Sequence, residues 1–263
     1  MTTKDFITEL FCRVDDVMQG KSIEKDKRTG FYPSEVVTTA ILFAIKGVGN
    51  RAFYRWISDN HRAEFPKLPE RTRLFRLFKK HRDWANYFLA EPTILGLIDT
   101  YGIELIHPIR EGRSPRQIGK KGVSNHRWII GIKICALMNK LGLIIGWACD
   151  TANVYDAAFH HLIEEVKDQM VVFADTHFHS QEGDPPNLKI CKRGEWNERM
   201  LGETVLSMLT QVFHFKKMFH RVWDYIQAHL AFAMAAFNIL VQWNGLRPDE
   251  DGFVHLSIAE FSL

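Results

Sequence analysis

The chain has 263 residues, 46% of them hydrophobic and 25% charged, enough apolar material for one large domain or two small ones. That composition excludes disordered, collagen-like and low-complexity classes. Thirty-four Lys and Arg against thirty-one Asp and Glu leave a net charge of +3, too mild in sum to establish a nucleic-acid partner.

Residues 1 to about 90 carry apolar residues at three- and four-residue spacing, broken by GKS at 20–22, GVGN at 47–50 and FPKLPE at 65–70, which predicts a small all-helical domain. One helix is expected to open near Pro33 and a second to run through AFYRWI. A third should begin at Pro69, which has no N–H to waste in a first turn. From about residue 91 the pattern changes to strands: ILGLIDT at 94–100, HRWIIGIKICALM at 126–138, LGLIIGWAC at 141–149 and VVFAD at 171–175. Asn139-Lys140 separates the second and third as a hairpin turn. A helix is expected over 156–168, a short strand at LKICK, and two long helices over about 195–219 and 223–243. The fold class is therefore α/β: a mixed sheet flanked by helices over 91–263, preceded by the helical domain at 1–90. Cys12, Cys135, Cys149 and Cys191 lie far apart with no CxxC spacing, which implies neither a disulfide framework nor a thiolate zinc site and fits a reducing, cytoplasmic setting. No stretch reaches the ~18 apolar residues of a bilayer span, so no membrane partner is expected.

Two apolar runs end in a single carboxylate, Asp99 and Asp175. A strand ending in Asp sets the charge at the rim of a sheet, where a second such charge can join it in binding a divalent cation through oxygen. Taken singly, each is as well explained as a turn or cap residue. Within WNERMLGETVLSMLT, Trp196, Arg199, Glu203 and Thr210 fall on one helical stripe that Lys217 continues, and Arg199 with Glu203 can equally be an ion pair at the edge of a core. Asp156 reads as an N-cap, and Glu164, Glu165 and Asp168 as the solvated face of its helix.

The order Asp99, Asp175, Glu203, with gaps of 76 and 28, resembles that of the DDE transposases of bacterial insertion sequences, members of the ribonuclease H-like superfamily. The third acid of that family lies in a signature of Tyr, two residues, Arg, three residues, Glu, six residues, Lys. Here Arg199 and Glu203 match, while Trp196 and Thr210 replace the terminal Tyr and Lys. The hairpin after IDT and the aromatic Phe178 three residues after Asp175 agree, and the resemblance spans about 91–243. It implies a ribonuclease H-like catalytic domain that cuts DNA at the ends of an element and transfers the strand into target DNA. Asp99, Asp175 and Glu203 would hold two Mg²⁺ or Mn²⁺ ions, supported by Arg199, Trp196 and Thr210. The implied partners are double-stranded terminal inverted repeats and target DNA, bound by a homo-oligomer that pairs two ends in the cytoplasm, at the nucleoid.

Positive charge clusters accordingly. Residues 71–82 hold Arg71, Arg73, Arg76, Lys79, Lys80 and Arg82 with no acid, and a basic helix after a short turn resembles a recognition helix for a DNA groove. Residues 107–133 hold seven Lys or Arg, including Arg113, Arg116, Lys120 and Lys121, against Glu111 alone. Each segment is as well explained as a solvated surface. Two alternatives stand beside the transposase: a DNA-binding descendant without catalysis, and a metal-dependent amidohydrolase-type nuclease using His177 and His179 of ADTHFHS. The second lacks room, since 84 residues follow His179 and such a barrel needs ~200.

Overall fold

Capping chemistry starts the helices where the sequence breaks. The computed structural model describes residues 1–21, 23, 30–124, 127–191, 199–216, 218, 220–246, 256–258 and 261, with the side chains of residues 199 and 200 outside that description. Helix α1 (Thr3–Gln19) opens on a reciprocal box in which Asp5 N–H donates to Thr2 Oγ1 at 3.2 Å and Thr2 N–H to the Asp5 carboxylate at 3.1 Å. Helix α2 (Pro33–Lys46) has Pro33 in its first turn and stops at Gly47, whose φ of 59° is left-handed. A Cβ on Gly47 would also fall 1.9 Å from Cδ2 of His214, so conformation and packing both require glycine there. Helix α3 (Asn50–Asn60) follows. Helix α4 (Arg71–Lys80) starts later than Pro69, because the Glu70 carboxylate accepts from Thr72 N–H at 3.4 Å and so takes the cap position. A 3-10 segment over Arg82–Phe88 leads to the sheet.

Among the described residues the sheet has six strands: β1 (Leu95–Ile106), β2 (Lys120–Ser124), β3 (Arg127–Asn139), β4 (Ile144–Thr151), β5 (Val171–Ala174) and β6 (Leu188–Ile190). β3 is antiparallel to β1, β2 and β4, whereas β1, β5 and β6 are mutually parallel, in the order β2-β3-β1-β5-β6 with β4 also on β3. The mixed α/β class holds, with local departures. The β3–β4 turn is longer than Asn139-Lys140: the Asn139 side chain accepts from Leu141 N–H at 3.0 Å and Leu143 N–H at 3.1 Å, and Gly142 takes φ 77°. The expected helix over 156–168 is a 3-10 turn, Asp156–Phe159, followed by the short helix α5 (His160–Glu164). Helices α6 (Arg199–Val212) and α7 (Trp223–Asn244) complete the chain order. Among the described residues all four cysteines are free.

Alternation along β3 divides the core in two. Ile132, Ile134, Ala136 and Met138 face a large cluster that runs through α6 and α7 to α1, α2 and α4, while Cys135 and Leu137 face a smaller one with Phe159, Leu162, Ile163 and Phe178. Helix α7 is long and apolar enough to cross a membrane, and 78% of its most apolar window is buried in the fold, so it is the central core helix. Each fully buried Phe or Leu on it, such as Phe232, Phe237 and Leu240, contributes roughly 1.5–3 kcal/mol. Its most deeply buried amide is satisfied: Asn238 accepts from Ile144 N–H at 2.8 Å and donates to the carbonyls of Ile144 at 2.7 Å and Phe88 at 3.0 Å. That amide fixes α7 against both β4 and the end of the helical layer.

Candidate active site

Asp99 does not end its strand. β1 continues to Ile106, and what ends near Asp99 is the ladder to its parallel neighbour, whose last pair is Leu97 with Phe173. Continuing that offset two residues, along the extended backbone of Asp175 (φ −77°, ψ 175°), sets Asp99 abreast of Asp175. Neighbouring strands run roughly 4.8 Å apart, so the two acids flank the notch left where β5 stops.

The third element approaches from the large core. Leu97 and Tyr101 pack against the cluster that holds α6, and Asp99, between them in the alternation, shares their face. Gly202 of α6 is buried against this face: a Cβ there would lie 2.7 Å from Leu97 Cδ2 and 3.6 Å from Asp99 Oδ2. The absent side chain lets α6 approach Asp99 closely, and the next residue, Glu203, is exposed on the same helix. Arg199 is the first residue of α6, while Trp196 and Lys217 lie outside the described residues. Thr210 departs from its expected role. It is buried at 8% exposure and its hydroxyl donates to the Leu206 carbonyl at 2.7 Å, so it is turned into its own helix and the core.

Asp175 is also a cap, accepting from His177 N–H at 2.9 Å at the head of the 3-10 turn Thr176–Phe178, which buried Phe178 anchors. Its second oxygen meets His177 Nδ1 at 2.9 Å, and this hydrogen bond, with the carboxylate charge, raises the His177 pKa above the ordinary imidazole value. Asp156 is the residue that sequence reasoning misplaced. Tyr155 occupies the cap position, and Asp156 is the half-buried counter-ion of Lys133, at 2.6 Å, with Lys133 also donating to the Val154 carbonyl at 2.7 Å. One ligand atom from each of Asp156, Asp175 and His177 lies within 4.8 Å of the others, the one such potential metal group among the described residues. His179 is not in it. It bonds Asp184 at 2.8 Å, which holds the Asp184 carboxyl below the usual range, whereas His177 bonds Asp175.

Of the basic residues, Arg73, Arg76, Lys80, Arg113, Arg116, Lys120 and Lys121 are exposed and Arg71 is half-buried. Lys79 is engaged within the fold, 3.3 Å from Asp224 and 5.8 Å from the Tyr225 ring centre, and so bolts α4 to α7. Lys120 and Lys121 lie on β2, a strand the sequence does not announce, and Lys121 sits 5.1 Å from the ring of exposed Trp128. No protein-family model matches the chain, and no curated protein matches it.

Proposed function

We propose that the chain is a DDE transposase with a ribonuclease H-like catalytic domain, a metal-dependent enzyme that cuts DNA at the ends of a mobile element and transfers the strand. The observation that carries this is the parallel β1–β5 ladder, whose last pair Leu97 with Phe173 lies two residues before Asp99 and Asp175, with Gly202 of α6 seated on Asp99 and Glu203 next in the chain. The donor set fits a hard cation: the three side chains offer only carboxylate oxygen, and the nearby Cys135 thiol faces the opposite core, where burial pushes its pKa up. Asp99, Asp175 and Glu203 would hold two Mg²⁺ or Mn²⁺ ions, which when bound activate the attacking oxygen of a phosphodiester displacement and stabilise the leaving one.

The chain's own residues do the rest. His177 orients the Asp175 carboxylate through its 2.9 Å hydrogen bond, and Lys133 neutralises Asp156 so that this extra acid does not add its charge to the site. The exposed arginines of α4 and of the 107–121 loop bind the inverted-repeat and target duplexes, whose backbone charge they match. In the first displacement water breaks a P–O3′ bond, leaving a 3′-hydroxyl and a 5′-phosphate. In the second, that hydroxyl attacks a target phosphodiester and expels the target's own 3′-oxygen. Pairing two ends calls for a homo-oligomer acting at the nucleoid.

A non-catalytic DNA-binding descendant is favoured by one observation: at the position where the resembling family has a Lys, this chain has Thr210, buried and bonded to Leu206. One assay separates the two readings. A supercoiled plasmid carrying the gene with its flanking DNA is incubated with the protein and Mg²⁺, and new 3′ ends are mapped. Paired cuts at inverted repeats, absent with Asp99→Asn and Glu203→Gln, are expected; binding without cuts in the wild type would favour the descendant.

A further inference from the structure

Helices α2 and α3 meet at 118° across the three residues Gly47, Val48 and Gly49. Two helices at about 90–120° joined by a glycine-containing turn of three or four residues form the unit whose second helix enters the major groove of DNA. In α3, Phe53 and Ile57 are fully buried, which fixes the opposite face outward: Arg51, Ala52, Arg55 and Asp59 are exposed, and Asn50 is partly so. Arg51, Tyr54, Arg55, Ser58 and Asp59 line an open cleft of about 440 Å³ whose far wall is Arg71 of α4. Arg51, Arg55 and Arg71 have no ion-pair partner among the described residues, and residues 50–80 hold nine Lys or Arg against Asp59, Glu64 and Glu70. An unneutralised fork of arginines on an outward helix face complements a polyanion of duplex form.

We infer that α3, not α4, is the helix that reads DNA bases, and that the Arg71 side of the cleft holds a backbone phosphate. The division of labour follows from burial. α2 is buried from Val36 to Ile45 and cannot cross a DNA backbone, so that task falls to α4, where Arg73, Arg76 and Lys80 form an exposed stripe at i, i+3 and i+7. α4 is moreover tied to α7 through Lys79 and Asp224 and follows α3 after the ten residues 61–70, not after a tight turn. The first two turns of α3 supply suitable chemistry at base edges: the Arg51 and Arg55 guanidiniums for guanine, the Asn50 amide for adenine and the Ala52 methyl for thymine. This inference rests on the DNA partner proposed above but not on the catalytic site.

The test uses the full chain, carrying Asp99→Asn so that no probe is cut, and a pool of duplexes with a randomised core from which bound molecules are selected. Arg51→Ala and Arg55→Ala should each relax the preference at one base pair and weaken binding to the selected duplex roughly tenfold, with little effect on unselected duplex. Arg55→Lys, which keeps the charge but not the fork, should likewise lose the guanine preference. Arg71→Ala should weaken binding to every duplex alike and lower the slope of log affinity against log salt by ~1. Melting temperature checks that each variant is folded. An unchanged motif in both α3 variants, relaxation by Arg73→Ala or Arg76→Ala instead, or no enrichment at all would each overturn the inference. Such a failure would leave Mg²⁺-dependent cutting by the unaltered chain intact, whereas failure of that cutting alone would leave the assignment of α3 standing.

Discussion

The carboxylate notch and the arginine face put charge to use in opposite ways. At the notch, Asp99 and Asp175 come from strands far apart in the chain, sit partly buried, and are held by hydrogen bonds and by a glycine that admits α6. On the arginine face, Arg51, Arg55, Arg73 and Arg76 lie on two short helices close in sequence, exposed and without ion-pair partners among the described residues. Positions fixed to ångström precision suit bond breaking, which loses rate steeply with misplacement, while exposed charge suits a long polyanion.

If that contrast is right, the two regions should fail independently. Asp175→Asn should lower Mg²⁺-dependent cleavage about a thousandfold or more, the several kcal/mol that bound metal supplies to the transition state, with duplex affinity unchanged. The triple variant Arg71→Ala, Arg73→Ala, Arg76→Ala should do the reverse, lowering the salt slope by up to ~3 with cleavage retained at saturating DNA. Titrations and single-turnover rates read both, and a variant that damaged binding and rate alike would dissolve the distinction.

Core and notch histidines should titrate with opposite sign. Packed around Phe43 at the α7 end of the large core, His229 is pushed down to about 3 and His220 to about 4 by desolvation. With folded values below the unfolded 6.5, the unfolded chain binds more protons, so stability is full above about pH 6.5 and lost as pH falls toward those values, by a few kcal/mol in order of magnitude. Thermal melts at pH 7 and pH 4 should show the loss, and His229→Phe, which keeps the edge-on packing against Phe43, should lessen it. His177 at the notch is raised, so its contribution is present below 6.5 and fades as pH rises through the raised value; its 77% exposure keeps it small. A smaller effect is expected at Gly202→Ala, where the added methyl meets Leu97 and pushes α6 outward: about a tenfold loss of cleavage with binding intact. An unchanged rate would mean that α6 need not lie close to Asp99.

Legibility divides along the same line. The helical layer was readable because its signals are local: three- and four-residue periodicity, Pro33, and the glycines at 47 and 49. The start of α4 falls two residues after Pro69 because the Glu70 side chain caps the helix. At the notch, each apolar run ending in Asp was legible, but the β1–β5 register that brings the two runs side by side arises from parallel pairing across more than seventy residues, which no window of sequence contains. Local sequence makes Asp156 a cap because its partner Lys133 lies on β3, and it does not mark β2, whose exposed Lys residues gain strand structure from pairing with β3, not from an apolar pattern of their own. Thr210 shares the stripe of Glu203, yet Glu203 is exposed while Thr210 is buried two turns on, so the same stripe is wet at one end and dry at the other.

The central claim is that Asp99 and Asp175 share metal ions, and electron paramagnetic resonance of bound Mn²⁺ tests it most directly, since Asp175 also belongs to the group formed with Asp156 and His177. Asp99→Asn and Asp175→Asn should each lose bound Mn²⁺ while Asp156→Asn, still able to accept from Lys133, keeps it. Mn²⁺ retained by Asp99→Asn and lost from Asp156→Asn would place the metal with Asp156 and His177 instead.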